Sequence, residues 1–243
     1  MTRRRVLAQT RFETLAVLRN GEQLLLTFLM PLIALVLLVQ TDIVALPGSR
    51  HASALVGVLA LAAVSTGFTS QAIAVAFDRR WGVLRLIATT PLGRGGLLAG
   101  KLGAVLAVLV VQVVVLTSTA FLLGWRPAAD PVALLVAGAL LVLGIACFTA
   151  LGLLLGGTLR PEAVLAIANL VWVLLVAGGG LLLPVATLPG LLAGVVTVLP
   201  SAALGEGLRQ LADGGPVPWL HIASLTAWTA VATWAAARFF RWD

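Results

Sequence analysis

Long apolar runs separated by short polar segments dominate the pattern along the chain. A helix that crosses the hydrocarbon core of a bilayer needs about 20 residues, and five or six of the runs reach that length. We predict spans over residues 24–40 (extending as far as 46), 54–77, 102–123, 132–155, 163–183 and 219–237. The expected fold class is an all-α polytopic membrane protein with six transmembrane helices, in which residues 1–243 form a single membrane domain.

Residues 184–218 break this pattern. Their apolar runs are too short to cross a bilayer, and Pro189, Pro200 and pairs of glycines interrupt them. We predict a pair of short helices that dip into the membrane surface, or a re-entrant element, between the fifth and sixth spans.

The first 23 residues are basic and mixed in polarity. Ala8, Phe12 and Leu15 share one helical face with arginines around them, which is typical of a helix lying in the cytoplasmic interface of the membrane. No small-x-small cleavage site follows the first apolar run, so we expect this segment to be retained. A solvated lead-in to the first span is the alternative.

Composition supports the membrane class and narrows the partners. Hydrophobic residues make up 60% of the chain and charged residues 10%, whereas soluble domains carry about 25% charged residues. The net charge of +7 would point to nucleic acid in a soluble protein. Here the arginines lie between spans, where orientation and anionic lipid headgroups explain them. We expect the lipid bilayer as a partner, and no nucleic acid.

Lysine and arginine are distributed unequally between alternate loops. With the amino terminus inside, the cytoplasmic segments hold 13 of these residues and the outer segments hold 3, which are Arg50, Arg126 and Arg209. Cytoplasmic loops of membrane proteins carry such an excess. We predict a multi-pass protein of the cell (inner or plasma) membrane with both termini in the cytoplasm.

The segment GGLLAGKLG at residues 95–103 has the spacing of a phosphate-binding P-loop, through Gly95, Gly100 and Lys101. A P-loop continues with a serine or threonine whose hydroxyl holds magnesium, and this chain has Leu102 there. His51 and His221 have no second histidine or carboxylate at ligand spacing, and the single cysteine lies in an apolar run. We therefore expect a protein that is not an enzyme, with no catalytic residue, no metal site and no cofactor of its own.

Neutral polar residues lie within the predicted spans. Such residues often form interhelical hydrogen bonds, and alternatively they line a passage for a mainly apolar substrate. For the cluster in the second span the two interpretations are nearly balanced. The candidate substrate path comprises Thr66, Ser70, Gln71, Gln112 and Asn169.

Two G-x-x-x-G spacings, Gly152 with Gly156 and Gly190 with Gly194, permit close approach of helices. The pattern often arises by chance in a glycine-rich membrane protein. It is weak evidence for a dimer face.

The stretch FDRRWGVLRLIATTPLGRGGLLAGKL, residues 77–102, resembles the cytoplasmic loop of permeases in the type-two ABC transporter family, which includes multidrug and daunorubicin-resistance-like membrane subunits. The family pattern is an acidic–basic pair, a glycine, a hydrophobic helix, Thr-Pro, a basic or polar turn, and Gly-Lys at the start of the third span. The matching positions are Asp78, Arg79, Arg80, Gly82, residues 84–87, Thr90, Pro91, Arg94, Gly100 and Lys101. Asp78 stands where the family commonly has glutamate. RFETLAVLRNGEQLLLTFLMPL and VLPSAALGEGLRQL are similar to its interfacial helix with first span and to its extracytoplasmic segment.

The resemblance implies a separate cytoplasmic ATPase subunit, which binds ATP and magnesium, and a second permease subunit, identical or related. It also implies a coupling helix between spans 2 and 3 that passes the motion of the ATPase to the spans. Drawn as a helix, this loop has apolar residues on two faces, with Phe77, Trp81, Leu84 and Ala88 on one and Val83 and Leu86 on the other. The predicted ATPase-coupling residues are Phe77, Asp78, Arg79, Arg80, Trp81, Gly82, Leu84, Leu86, Thr90 and Pro91.

The expected function is that of the membrane permease of an ATP-driven transporter that exports a hydrophobic or amphipathic compound, as in multidrug efflux. A haem-export or cytochrome-assembly permease shares the six-span plan and is an alternative. A membrane enzyme acting on lipids is a second alternative, against which the missing buried acid or histidine argues. A scaffold or channel subunit is a third, and it would not require a two-faced loop helix.

Overall fold

A computed structural model describes residues 2–42, 44, 46, 48–127 and 130–241. Every regular element in these ranges is helical. The helices are α1 (Thr2–Leu18), α2 (Gly21–Gln40), α3 (Arg50–Arg80), α4 (Val83–Ala88), α5 (Gly93–Leu122), α6 (Pro131–Thr158), α7 (Pro161–Gly178), α8 (Gly190–Thr197), α9 (Pro200–Ala212) and α10 (Trp219–Phe239), with a 3₁₀ turn at Val185–Thr187.

The predicted all-α membrane fold is confirmed. Among the described residues, five helices are long and apolar enough to cross a bilayer, namely α2, α3, α5, α6 and α7. The number becomes six if α8 and α9, which meet at 91°, are counted as one broken span. This bent pair is the short helical element predicted between the fifth and sixth spans.

The sixth predicted span, residues 219–237, forms α10, which is 21 residues long. It is not among the five apolar helices, because one histidine, one serine and several threonines and tryptophans lower its mean hydropathy. It packs instead along α6. The fifth span was predicted to run to residue 183, but α7 ends at Gly178, because Gly180 takes a φ of +75° that turns the chain.

Local sequence signals explain where several helices begin. Asp130 caps α6, since its carboxylate accepts a hydrogen bond of 2.9 Å from the Val132 amide. Pro131, Pro161 and Pro200 each open a helix in the first turn, where the missing N–H costs nothing.

Helix α3 is the centre of the bundle. In its most apolar stretch 83% of the residues are buried, against 17% in α2 and 11% in α7. The glycine pair Gly152 and Gly156 of α6 faces α3 within the same chain, and a Cβ at Gly152 would lie 2.7 Å from the Phe68 carbonyl oxygen. The interpretation of this pair as a dimer face is therefore wrong. A Cβ at Gly190 or Gly194 would meet open space.

Contacts between distant segments define one end of the bundle, which we call the basic end. Arg5 donates a hydrogen bond of 2.9 Å to the Pro91 carbonyl, so α1 lies beside the loop that follows α4. The Arg241 amide bonds the Gly157 carbonyl at 2.9 Å, so the segment after α10 reaches the end of α6. Cationic side chains concentrate here, among them Arg79, Arg80, Arg85, Arg160 and Lys101.

Buried Arg209 organises the opposite end. Its guanidinium donates to the Leu181 carbonyl at 2.9 Å and also to the Gly180 carbonyl, and Glu206 lies 3.1 Å away. The side chain thereby fixes α9 to the turn that follows α7. At the same end, a His51 ring nitrogen lies 3.1 Å from the Leu123 carbonyl oxygen, which joins the start of α3 to the end of α5.

Candidate coupling surface and membrane cleft

The predicted coupling segment is not one continuous helix. Helix α3 ends at Arg80, Gly82 takes a left-handed φ of +73°, and α4 begins at Val83. The left-handed residue changes the direction of the chain, so side chains on either side of it do not keep a common helical face. The expectation that Trp81 and Leu84 share one face is therefore wrong.

The inner face of α4 is anchored in the membrane domain. Leu84 is fully buried and packs with Val75 of α3, Leu97 of α5 and Leu153 of α6. This small apolar cluster joins four helices at the basic end. The cluster therefore packs α4 against three of the long helices.

The outer face of the segment carries two large apolar side chains without cover. Trp81 is 70% exposed and Leu86 is 69% exposed. The Phe77 ring lies 5.3 Å from the Trp81 ring and supports it. Thr90 and Pro91 are also exposed, at the turn before α5. Exposed apolar patches rimmed by polar residues mark contacts with proteins or with the membrane surface.

Arginines surround a hollow of about 330 Å³ beside this surface. Arg79, Arg80, Arg85 and Arg160 line it, and Glu162 is the acidic residue among them. Arg80 pairs with Glu162 at 2.5 Å, and Arg79 donates to the Leu159 carbonyl. The lining of the hollow therefore carries an excess of positive charge. The pair of Arg80 with Glu162 joins the end of α3 to the start of α7.

A cluster of charged side chains, not predicted from the sequence, lies on the inner side of the basic end. Lys101 of α5 is 4% exposed and lies 2.9 Å from Asp78 and 3.3 Å from Glu13. Gln9 donates a hydrogen bond of 2.7 Å to Glu13. The cluster joins α1, α3 and α5, so Asp78 faces the membrane domain and not the exposed surface.

The P-loop-like segment is helical in the structure. Helix α5 begins at Gly93 and continues through Lys101, which leaves no loop to enclose a phosphate group. Its glycines instead admit α1: a Cβ at Gly100 would lie 2.6 Å from Gln9, and one at Gly103 would lie 2.6 Å from Thr10. The spacing of this segment serves helix packing.

A cleft of about 240 Å³ lies between α1, α2, α3, α4 and α5. Three of the predicted path residues, Thr66, Ser70 and Gln71, line it, because positions i, i+4 and i+5 share one side of α3. Parts of its wall are π-helical, over Leu25–Leu29 of α2 and Ser65–Ser70 of α3. Such turns interrupt α-helices at functional sites.

The other two predicted path residues lie elsewhere. Gln112 is buried and donates hydrogen bonds to the Thr27 carbonyl at 2.9 Å and to the Thr66 hydroxyl at 3.1 Å, so it joins α2, α3 and α5. Asn169 is exposed on α7, away from the cleft. Sequence reasoning missed Trp172, whose indole N–H donates to the Ser65 hydroxyl at 2.6 Å.

Similarity to known proteins identifies the family of the chain. The model of the ABC-2 family transporter proteins matches residues 39–238. A Bacillus subtilis (strain 168) protein named "Putative transport permease YvfS" is 32% identical over 101 residues. That similarity covers 42% of this chain and 41% of the length of the Bacillus protein. Because the family match extends over most of the chain, this protein belongs to the ABC-2 family of transporter membrane proteins.

Proposed function

We propose that this chain is the permease subunit of an ATP-driven exporter, and that a cytoplasmic ATPase subunit docks on the segment from Phe77 to Pro91. The observation that carries the proposal is the exposed apolar pair, Trp81 before the turn at Gly82 and Leu86 on α4, in a segment that buried Leu84 anchors to the spans. An element with one face fixed in the spans and the other uncovered is suited to pass motion from a partner. ABC-2 permeases generally pair with an ATPase subunit.

Charge supports the same surface as the ATPase contact. The arginine-lined hollow beside Trp81 favours a partner with acidic side chains at the rim of an apolar groove. Apolar side chains in the middle and charges at the edge are the usual anatomy of a protein interface.

In this proposal the partner binds ATP and magnesium, and the permease holds no cofactor. Helix α5 supports this division. Two carboxylates pair with Lys101 and α1 packs against Gly100, so neither residue is free to bind a phosphate group. We expect the purified chain alone to show no affinity for ATP. Nucleotide affinity that disappears on Lys101→Ala would contradict the division.

The orientation in the proposal places the basic end in the cytoplasm, together with both termini. Its support is the ratio of 13 cationic residues in the predicted cytoplasmic segments to 3 in the predicted outer segments. Cysteines placed at Thr2 or Arg94, in a Cys147→Ala background, should be shielded from an impermeant thiol reagent in intact cells. A cysteine at Asp213, near the opposite end, should be labelled.

The proposed working unit contains a second permease subunit, identical or related. Helix α7 supports this, because only 11% of its most apolar stretch is buried and Asn169 is exposed in its middle. An amide facing lipid lacks hydrogen-bond partners, and a facing helix supplies them. The proposed cargo is a hydrophobic or amphipathic compound, because the cleft walls combine apolar side chains with neutral polar ones.

The experiment that tests the coupling role is co-purification of the permease with its cytoplasmic ATPase subunit, together with transport. Trp81→Ala and Arg85→Glu should each reduce ATPase recovery several-fold while the permease still inserts. Trp219→Ala and Arg126→Glu are matched controls, since Trp219 is 72% exposed and both residues lie at the opposite end. Full ATPase recovery and transport in both loop variants would show that this surface is not the contact.

A further inference from the structure

A proline leaves one carbonyl group of α2 without its helical donor. Pro31 has no N–H, so it cannot donate to the Thr27 carbonyl four residues earlier in the helix. The helix widens into its π segment, Leu25–Leu29, just before this proline. Gln112 of α5 supplies the missing donor, since its side-chain Nε2 donates to the Thr27 carbonyl at 2.9 Å. A side chain of a neighbouring helix thus replaces a backbone hydrogen bond of α2.

The part of α2 before this proline, Gly21–Leu29, has little cover, and we call it the strap. None of its residues is buried, and Leu26 is 60% exposed. In the ranges that the structure describes, the bond from Gln112 to Thr27 is the one hydrogen bond between the strap and another long helix. The middle of the strap is therefore held by a single side chain.

Both neighbours of the strap are fixed to the bundle. On the outer side, Leu35 of α2 is fully buried in the core, and Arg50 donates to the Leu38 carbonyl at 3.0 Å. On the inner side, α1 packs against α5, where the Thr10 hydroxyl donates to the Gly100 carbonyl at 3.3 Å. The strap is thus a weakly held segment between two firmly held ones.

The position of the strap sets the width of the cleft, because Gln23 and Thr27 form part of the cleft wall. A proline and a π segment are the usual places where a helix bends, and a few such residues absorb the motion of a hinge. We propose that the strap is a hinged wall of the cleft, with Pro31 and the π segment as its hinge and Gln112 as the lock that holds it closed. When the hydrogen bond from Gln112 breaks, the strap bends outward and the cleft opens toward the bilayer.

This inference goes beyond the docking of an ATPase. The use of the opening for cargo rests on the proposed function, since an open cleft serves transport only in an exporter. The hinge itself requires neither the ATPase nor cargo. It is therefore tested on the full permease alone, and the two proposals fail separately.

The test measures the position of the strap by double electron–electron resonance in bilayer discs of phosphatidylcholine and phosphatidylglycerol. Spin labels are placed on cysteines at Leu26 of the strap and Val110 of α5, which are 60% and 62% exposed, in a Cys147→Ala background. An excess of unlabelled chain removes distances between copies. Gln112→Met keeps the size of the side chain but removes the donor. It should increase the population of longer distances about fivefold, which is the change that the loss of one hydrogen bond permits.

Pro31→Ala distinguishes a lock from a general loss of stability. Alanine restores the backbone N–H that the Thr27 carbonyl lacks, so Pro31→Ala combined with Gln112→Met should return the distances to those of the unmodified chain. If Gln112→Met alone does not fold, folding of the double variant supports the lock, and failure of both variants overturns it. Thr66→Val is the control, because it removes another partner of Gln112 and leaves the bond to Thr27. It should not increase the longer distances.

A second pair of labels separates motion of the strap from loosening of the whole helix. Leu37 lies beyond the hinge on α2 and is 49% exposed, so its distance to Val110 should not change in Gln112→Met. Equal distances between Leu26 and Val110 in Gln112→Met and in the unmodified chain would overturn the proposal. An equal increase for both pairs, or an increase that Pro31→Ala does not reverse, would also overturn it.

Discussion

The Lys101 ammonium lies 2.9 Å from the Asp78 carboxylate and joins the start of α5 to the end of α3 across the loop that carries α4. Both side chains face the bundle, and Glu13 of α1 completes the cluster from a position 88 residues away. The loop is therefore closed at its base by an ion pair. Its exposed part, with Trp81 and Leu86, projects from a fixed frame.

This frame predicts the behaviour of Asp78→Ala. The substitution removes the nearer of the two carboxylates that pair with buried Lys101 and leaves Glu13 at 3.3 Å, so a charged hydrogen bond is lost at a cost of about 2 kcal/mol. The thermal midpoint of the purified permease should fall by several degrees. Asp42→Ala serves as the control, since that carboxylate is 96% exposed and its ion pair with Arg50 is solvated. Equal midpoints for the two variants would contradict a structural role for the cluster.

The approach of α6 to α3 gives a second prediction. Gly152→Leu and Gly156→Leu should each prevent the close contact with α3 and reduce the yield of folded permease, because backbone atoms and not flexible side chains oppose the new groups. Gly194→Leu on α8 should be tolerated, since a side chain there meets open space. Size-exclusion profiles in detergent compare the three variants.

Five of the six predicted spans form helices long and apolar enough to cross a bilayer, because the length of an apolar run reflects the thickness of the hydrocarbon core. The predicted path residues of α3 also came together, since helical spacing alone places Thr66, Ser70 and Gln71 on one side. The partners of Gln112 and Lys101 could not be predicted from the sequence, because they depend on which helices pack side by side. Glu13 was therefore missed, and Asn169 was grouped with residues that lie on another side of the bundle.

The break in the helical segment at Gly82 could be predicted from the sequence only in part. A glycine within an apolar helical pattern permits a left-handed residue without requiring one. Once the turn exists, Trp81 and Leu84 separate to opposite environments, one exposed and one fully buried. Apolar side chains do lie on two sides of the loop, as predicted. Which side chains lie on which side depended on a single backbone angle, the φ of Gly82.

That angle carries a third prediction. Gly82→Val should strain the left-handed position by about 1–2 kcal/mol, and it should weaken coupled ATPase activity more than membrane insertion. The cause is backbone conformation and not crowding, since nothing lies within 4 Å of a Cβ at this position. Gly82→Asn should retain more activity than Gly82→Val, because asparagine tolerates this conformation. Indistinguishable activities would show that the turn adapts freely.

Arg209 supports a fourth prediction at the opposite end. Arg209→Met should lower stability by about 2–3 kcal/mol, because the Gly180 and Leu181 carbonyls lose a charged donor inside the protein. Arg209→Lys should recover only part of the loss, since one ammonium cannot reproduce the planar guanidinium fork. Arg126→Met is the control, because Arg126 donates to nearby exposed carbonyls only. Thermal unfolding followed by tryptophan fluorescence orders the four proteins.

The exposed face of α7 carries the last prediction, which tests the second permease subunit. Asn169→Cys, in a Cys147→Ala background, should form a disulfide-linked dimer in membranes under mild oxidation, because two copies of α7 related by a twofold axis bring this position together. Leu135→Cys on α6 is the control, since Leu135 is 77% exposed on a different helix. Non-reducing electrophoresis distinguishes the two. A dimer through Leu135 and none through Asn169 would move the interface to α6 and leave the amide of Asn169 facing lipid, which is costly for a polar group in a span.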